Sequence, residues 1–358
     1  MDLTSFNPNG YEYITNLIKT AVFNKENVAT VKGKWVIDQA IRIPSNFTLI
    51  LDGCHLVLAN KCYSNVFVNK NHDTEIGKTI KGRDINIKIK GINNPIIDGG
   101  NYNGLSEKNH NRDGLPPIWK NNLILFTNVE NFTISDINFR NQRWWATNFV
   151  YCSNGTLKNL DFCACDIGID SNGNEYHGLD IDKYNEVLIK NADGIDLRQG
   201  CHDILIENIT GFTEDDTIAL TGLLGKLEKT HAVEGLCSDI CNVKIKNVRS
   251  TAFCTIVRLL NQSGVKLHDI EIEDVYDTSK NSPHVVGGGL YSVRVGDNHL
   301  YGTRHSTPDE TYNISIKNIV GNGRYVLSLA GATKNLTYEN LSTTSNTPIL
   351  IDDRTEVE

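Results

Sequence analysis

The sequence predicts one all-β domain folded as a right-handed parallel β-helix with an N-terminal capping helix. A short strand phrase recurs along the chain, its copies are spaced by about 22 residues or by larger gaps, and no helical pattern lies between them. The phrase is an apolar residue, any residue, a second apolar residue, any residue, Asn or Asp, and a further apolar residue, which is a strand with alternating faces. Copies run over Phe132–Ile137, Ile204–Ile209, Val243–Val248, Val265–Ile270, Ile314–Ile319 and Leu336–Leu341, with a degenerate one at Thr156–Leu160. The polar member is Asp136, Asn159, Asn208, Asn247, Asp269, Asn318 and Asn340 in turn.

Asp136 and Asn159 are 23 residues apart, Asn247 and Asp269 are 22 apart, and Asn318 and Asn340 are 22 apart. Asn208 to Asn247 is 39, and the remaining gaps approach two periods. A coil of about 22 residues with insertions accounts for the set, and strand-only repeats select a β-helix over a leucine-rich repeat. Stacked Asn side chains should then form amide ladders that satisfy the turns. About ten to twelve coils of three parallel strands follow, with Ile206, Ile245, Leu267 and Ile316 stacked inside.

Ahead of the repeats, Ile14, Leu17, Ile18, Ala21 and Val22 fall on one face of a helix, which should close the apolar end of the solenoid. No Pro/Gly/Ser-rich linker interrupts the chain. The expected division is therefore a single domain, 1–358, with a cap segment over 1–30, coils over 31–345 and a C-terminal tail over 346–358.

Composition narrows the function. With 35 Lys and Arg against 43 Asp and Glu, the formal charge is −8 and no basic stripe is present, which excludes nucleic acid as the main partner. The first residues lack the basic and apolar runs of a signal peptide, and no segment approaches the roughly 18 apolar residues of a membrane span, so a cytoplasmic enzyme with no membrane partner is expected. The nine cysteines are odd in number and scattered, which does not describe a disulfide framework. Cys163/Cys165 and Cys237/Cys241 have no further ligands at zinc-finger spacing, so the thiols are expected as buried apolar groups, and neither a metal nor a cofactor is assigned.

The chemistry concentrates in two segments, Asn191-Ala192-Asp193-Gly194-Ile195-Asp196 and Glu214-Asp215-Asp216, with a complete strand phrase between them. Asp193 and Asp215 are 22 residues apart, one coil, which should place them in adjacent rungs about 4.8 Å apart. Asp at a strand end also serves turns, but crowding of this kind opposes ionisation and raises a carboxyl pKa. An inverting glycosidase needs that arrangement, because one carboxyl donates a proton to the leaving oxygen while others activate water. Asp215, with acidic neighbours on both sides, is the carboxyl expected to be raised. Adjacent Asp215 and Asp216 would alternate faces in a regular strand, so sharing one cleft requires a bend.

Over roughly residues 30–280 the chain resembles the polygalacturonase-like family, glycoside hydrolase family 28. Ile96-Ile97-Asp98-Gly99-Gly100 is similar to its strand-end Asp-Gly phrase, the segment from Asn141 to Val150 to its aromatic exo-enzyme segment, Asn191-Ala192-Asp193 to its Asn-Thr-Asp motif, and Glu214-Asp215-Asp216 to its Gly/Gln-Asp-Asp motif. The resemblance implies Asp215 as general acid, with Asp193 and Asp216 holding the nucleophilic water. Two motifs depart from the pattern. The Gly-His-Gly is absent, His231 being the only nearby histidine, and Arg-Ile-Lys is replaced by Arg258-Leu259-Leu260, which removes a basic residue that helps hold a sugar carboxylate. More distant β-helix relatives with Asp-Gly-Ile, Asp-Asp and Arg-Leu-Leu patterns look closer still.

Further candidates for contact with sugar are Trp144 and Trp145, which can stack on rings or simply pack; Arg258, which can bind substrate or form a structural ion pair; and His231. The segment Asp166–Asp182 lengthens its coil by about ten residues and is expected beside the cleft, where its His177 is a candidate substrate contact. Asp170, Asn172 and Asn174 imitate the start of an EF-hand loop, but Glu175 and Ile181 stand where Gly and Glu belong, which argues against calcium. Gly287-Gly288-Gly289 lacks the Lys and helix of a phosphate loop and reads as a tight turn, and His284, His299 and His305 are expected in polar loops. The expected activity is exo-acting, inverting hydrolysis of short oligosaccharides. A polysaccharide lyase and a non-catalytic sugar-binding β-helix are the alternatives.

Overall fold

A computed structural model of the chain describes residues 2–100, 118–142, 144–170, 172–183, 187–188, 191–262, 264–296 and 304–354. The chain is a right-handed parallel β-helix with three walls. The first wall begins with strands Val28–Val31, Phe47–Asp52 and Asp84–Ile92, and the second with Lys34–Ile37, His55–Leu58 and Ile96–Asp98. From Val129 onward, single long strands serve both walls: the start of Val129–Arg140 pairs with Asp84–Ile92, and its end pairs with Ile96–Asp98. Among the described residues the third wall holds ten strands, from Ile41–Ile43 to Leu350–Asp352, so the segment expected as a tail carries a strand.

The recurrent Asn or Asp is the residue that lets one strand turn a corner. Asp136, Asn159, Asn208, Asn247, Asp274, Asn318 and Asn340 all have φ between 54 and 64°. That left-handed region is open to Asn and Asp because their short polar side chains bond locally, and it is strained for β-branched residues. Their amides form the expected ladder: Asn159 donates to Asp136 at 2.7 Å, Asn208 to Asn159 at 2.9 Å and Asn247 to Asn208 at 2.6 Å.

One member is different from the expectation. Val243 pairs with Ile270, so the copy that follows Val243–Val248 is Ile270–Val275 and its corner residue is Asp274. Asp269 belongs to a second ladder at the entrance to the first wall, where Asn313 donates to it at 2.8 Å and Asn335 donates to Asn313 at 2.8 Å. The phrase fits two overlapping registers there, and only strand pairing chooses between them. The gap of 49 residues between Asn159 and Asn208 is likewise one coil with a large insertion rather than two coils.

Inside, Ile206, Ile245, Ile272 and Ile316 stack in register, while Leu267 stacks on Ile240. All are buried. Each such side chain contributes about 1.5–3 kcal/mol by leaving water. Phe132 stacks on Phe149 at 5.0 Å, and Gly155 is required beneath it because a Cβ there would meet the Phe132 ring at 2.3 Å. The helix α1 (Gly10–Phe23) covers the N-terminal opening with Ile14, Ile18 and Ala21, and Leu17 packs beside them. Val22, expected on the same face, is 51% exposed and borders an open groove with Tyr11 and Phe23. All nine cysteines are free thiols, and those at 54, 152, 201 and 254 are buried.

Candidate active site

The carboxylates sit where the second wall gives way to the third. Strand His202–Thr213 ends, the chain bends at Glu214 and Asp215, and the third-wall strand Ile218–Gly222 begins. The bend supplies the departure from alternation that a shared cleft requires. One rung earlier, Asn191–Gly194 leads into Ile195–Leu197. Gly194 cannot be replaced without displacement, because a Cβ would lie 2.5 Å from the Thr217 carbonyl oxygen.

Strand register decides which carboxylates face each other. Ile195 pairs with Ile218, an offset of 23 residues, so Asp193 lies opposite Asp216 rather than Asp215. Gly194 N–H donates to the Asp216 carbonyl at 3.0 Å, and Asp216 N–H reaches the Asp193 Oδ1 at 3.4 Å. Asp193, Asp215, Asp216, Arg258 and Trp145 line one cavity of about 20 Å3, enough for roughly one water molecule.

Burial pushes the Asp193 carboxyl well above the usual range, and repulsion from Asp196, Asp215 and Asp216 adds to it, while Arg198 opposes. Burial also raises Asp216, with Arg258 opposing most strongly; its Nη1 is 3.8 Å from Asp216 Oδ2. The two carboxyls that face each other across the rung are thus both raised. Cys254 lies against Asp215 and Asp216, and its own buried thiol is held well above its ordinary pKa, chiefly by desolvation.

Trp145 is buried, donates Nε1–H to Asn191 Oδ1 at 3.0 Å, and has the Arg198 guanidinium 3.9 Å above its ring. Trp144 packs in the apolar cluster with Val68, Trp119 and Leu125, at a φ of 61°. A tryptophan in that region is strained, which the surrounding packing must hold. His231, at the C-terminal end of the short helix α2 (Lys226–Thr230), is buried against His72 with ring centroids 4.9 Å apart. His177 lies on the exposed strand Glu175–His177. Trp144, His231 and His177 are not among the residues that line the carboxylate cavity.

The insertion between the second and third walls is larger than the expected ten residues, since its coil spans 49. Ile167–Asp170 pairs antiparallel with Glu175–His177, and Leu179–Asp180 pairs in parallel with Val285–Val286, three coils further on. His284 lies 3.1 Å from Asp166, and Arg324 forms an ion pair with Asp182. Asp170 accepts hydrogen bonds from Asn172, Asn174 and Tyr176, side-chain and backbone donation from Asn174 leading in holding its pKa down to about 2. His299 lies outside the described residues.

Two residues of the site escape a linear reading, Arg198 and Glu228. Arg198 follows Asp196 by two positions, the same-face spacing of a strand, which was the only local signal. Glu228 arrives from α2 and has none.

Comparisons with known proteins agree with this architecture. No curated protein matches the chain. Among solved structures, a tailspike protein mutant of E. coli bacteriophage HK620 in complex with a pentasaccharide superposes with a TM-score of 0.57 at 14% identity, covering 99% of this chain and 64% of its own. The chain therefore spans just under two thirds of the length of that tailspike. A 1,3-α-1,4-β-D-galactose-4-sulfate-3,6-anhydro-D-galactose-2-sulfate 4 galactohydrolase gives a TM-score of 0.61 at 11% identity, with 98% and 89% covered. A hyperthermoactive exopolygalacturonase from Thermotoga maritima gives 0.52 at 11%, with 96% and 87% covered. At such identities the likeness is one of fold. The model of glycosyl hydrolases family 28 matches residues 35–239, more than half of the chain and both carboxylate segments, so the chain belongs to that family.

Proposed function

We propose that the protein is an exo-acting, inverting glycosidase of short oligosaccharides, oligogalacturonides among them, and that Asp193, Asp215 and Asp216 carry the chemistry. The observation that carries this reading is the water-sized cavity between the facing carboxyls of Asp193 and Asp216, with Asp215 on its lining. Burial and repulsion keep the trio from bearing three full charges. Asp215 is the only half-buried member, so the glycosidic oxygen takes its proton there. The negative charge left behind is shared with Asp193 and Asp216, which hold and deprotonate water on the opposite face of the sugar. Arg258 neutralises part of that charge beside Asp216. Exo action is supported by the insertion, which leaves the same edge of the solenoid as the carboxylates and docks on Val285–Val286 and Arg324 in the C-terminal coils.

NMR of the first-formed sugar tests the reading. The product anomer must be opposite to that of the substrate, and a retained anomer overturns the assignment. A panel of aryl glycosides and oligogalacturonides should release monosaccharide or disaccharide first. An unsaturated, ultraviolet-absorbing product would instead identify a lyase.

A further inference from the structure

Six carboxyl side chains, Asp193, Asp196, Glu214, Asp215, Asp216 and Glu228, are concentrated around the cavity and its supporting shell, where Arg198 and Arg258 are the two buried cations among the described residues. The two arginines serve different sides. Arg258 stands next to Asp216, and Arg294, its neighbour in the next strand, acts on the same carboxyl. Arg198 stands next to Asp193. Its Nη2 donates to Asp196 Oδ1 at 2.7 Å, and its Nη1 is 3.5 Å from Glu228 Oε1.

The clamp is continuous with the catalytic rung. Gly225 N–H donates to Glu228 Oε2 at 3.0 Å, which fixes the carboxylate that meets Arg198. The guanidinium carbon lies 3.9 Å from the centre of the Trp145 ring, and Trp145 is tied to Asn191, two residues before Asp193. Ala192 N–H donates in turn to Glu214 Oε2 at 3.1 Å. A planar guanidinium can bond two carboxylates while stacking on an indole, which is an arginine property and not a lysine one.

We propose that Arg198 is a positioning residue that governs the protonation state of the Asp193–Asp215–Asp216 cluster as its internal counter-charge, and that Glu228 sets how much of that charge the cluster receives. The inference rests on the glycosidase mechanism above. Glu228 lies 12 residues beyond Asp216 and reaches the site through α2, which its coil contains. Removing the cation makes each neighbouring carboxyl harder to ionise; removing Glu228 releases the cation to the cluster and makes ionisation easier. The groups facing Asp193 are Asp196, Asp215, Asp216 and Arg198. Those facing Asp216 include Arg258 and Arg294, and Cys254 faces the Asp215/Asp216 pair.

The test compares Arg198→Gln, Arg198→Lys, Glu228→Gln and the double variant Arg198→Gln/Glu228→Gln in the full chain. The readouts are kcat/KM against pH on an aryl glycoside and the carbon-13 carboxyl titration of the substrate-free protein. Arg198→Gln should move the acid limb up by about one pH unit and lower kcat about ten-fold, with KM changed less than about three-fold. Arg198→Lys should move it part of the way, and Glu228→Gln should move it down. The double variant should return the limb toward wild type. If the double variant is as impaired as Arg198→Gln with an unmoved limb, Arg198 is a packing strut and the proposal fails. Should Arg198→Gln not fold, an unmoved limb in both Arg198→Lys and Glu228→Gln overturns it equally. If the wild type turns over no glycoside, the functional reading fails separately, and unchanged carboxyl titrations in the variants would overturn the role of Arg198 by themselves.

Discussion

The edge between the first and second walls and the edge between the second and third are built on opposite principles. In seven successive coils, from Asp136 to Asn340, the first edge is one left-handed Asn or Asp inside an unbroken strand. The second varies from a short bend at Glu214–Thr217 to the insertion that occupies residues 164–192. The first edge joins strands whose backbone partners lie directly above and below, so any added residue would break the ladder. The second edge has no such constraint, and there the chain bends two carboxylates into one cavity and lays an insertion across the next coils. Regularity holds the solenoid together, and irregularity carries its chemistry.

That division can be broken by experiment. Asp215→Asn should cost about 10² to 10⁴ in kcat on natural substrate, with much less lost on a glycoside whose leaving group needs no proton. Its melting temperature should hold or rise, because Asn keeps the shape of the side chain and relieves the crowding of carboxyls. A large fall in stability would mean that the carboxylate also serves as structure. Ile245→Ala should do the reverse. It removes a buried methylene stack at a cost of about 2–5 kcal/mol, read by urea unfolding, while the folded fraction keeps wild-type turnover.

Acid should find a third region, the buried His72–His231 stack. Burial, the leading cause, holds these rings at about 2 and about 4, so both are neutral in the fold. The unfolded chain takes up protons near pH 6.5. Their contribution is therefore fully present above that value and is lost as pH falls from 6.5 toward 4. For His231 the loss should approach roughly 3 kcal/mol. Melting temperatures of His231→Phe across this window should fall less steeply than those of the wild type. A parallel slope would assign acid sensitivity to other groups.

At the regular edge, Asn208→Ala removes a ladder amide and places Ala at a φ of 58°, which should destabilise by about 1–2 kcal/mol. Glycine at the same position should recover the conformational part and not the ladder part. Smallest of all, Arg324→Ala breaks an exposed ion pair with Asp182 and should change stability by less than about 1 kcal/mol. Its informative readout is the product pattern, since loosening the insertion should let longer internal fragments appear.

Much of this architecture is legible in the amino-acid sequence. The strand phrase carries both wall and corner, because an alternating apolar face and a residue tolerant of positive φ are local requirements that leave a local mark. The helix face of Ile14, Ile18 and Ala21 is legible for the same reason. Asp269 shows where such marks stop: residues 265–270 and 270–275 both satisfy the phrase, and only pairing with Val243–Val248 decides for Asp274.

The sequence by itself determined the solenoid, its repeat, and the convergence of Asp193, Asp215 and Asp216 on one region, because those follow from short-range periodicity and a separation of about one coil. Tertiary structure alone decided that Asp193 faces Asp216, that Trp144 and His231 turn into the interior, and that Arg198 and Glu228 join the site. Register follows from the lengths of insertions, and charge balance follows from residues that only the stacking of coils brings together. Neither has a local pattern, since a shift of a single residue changes every partner along a rung.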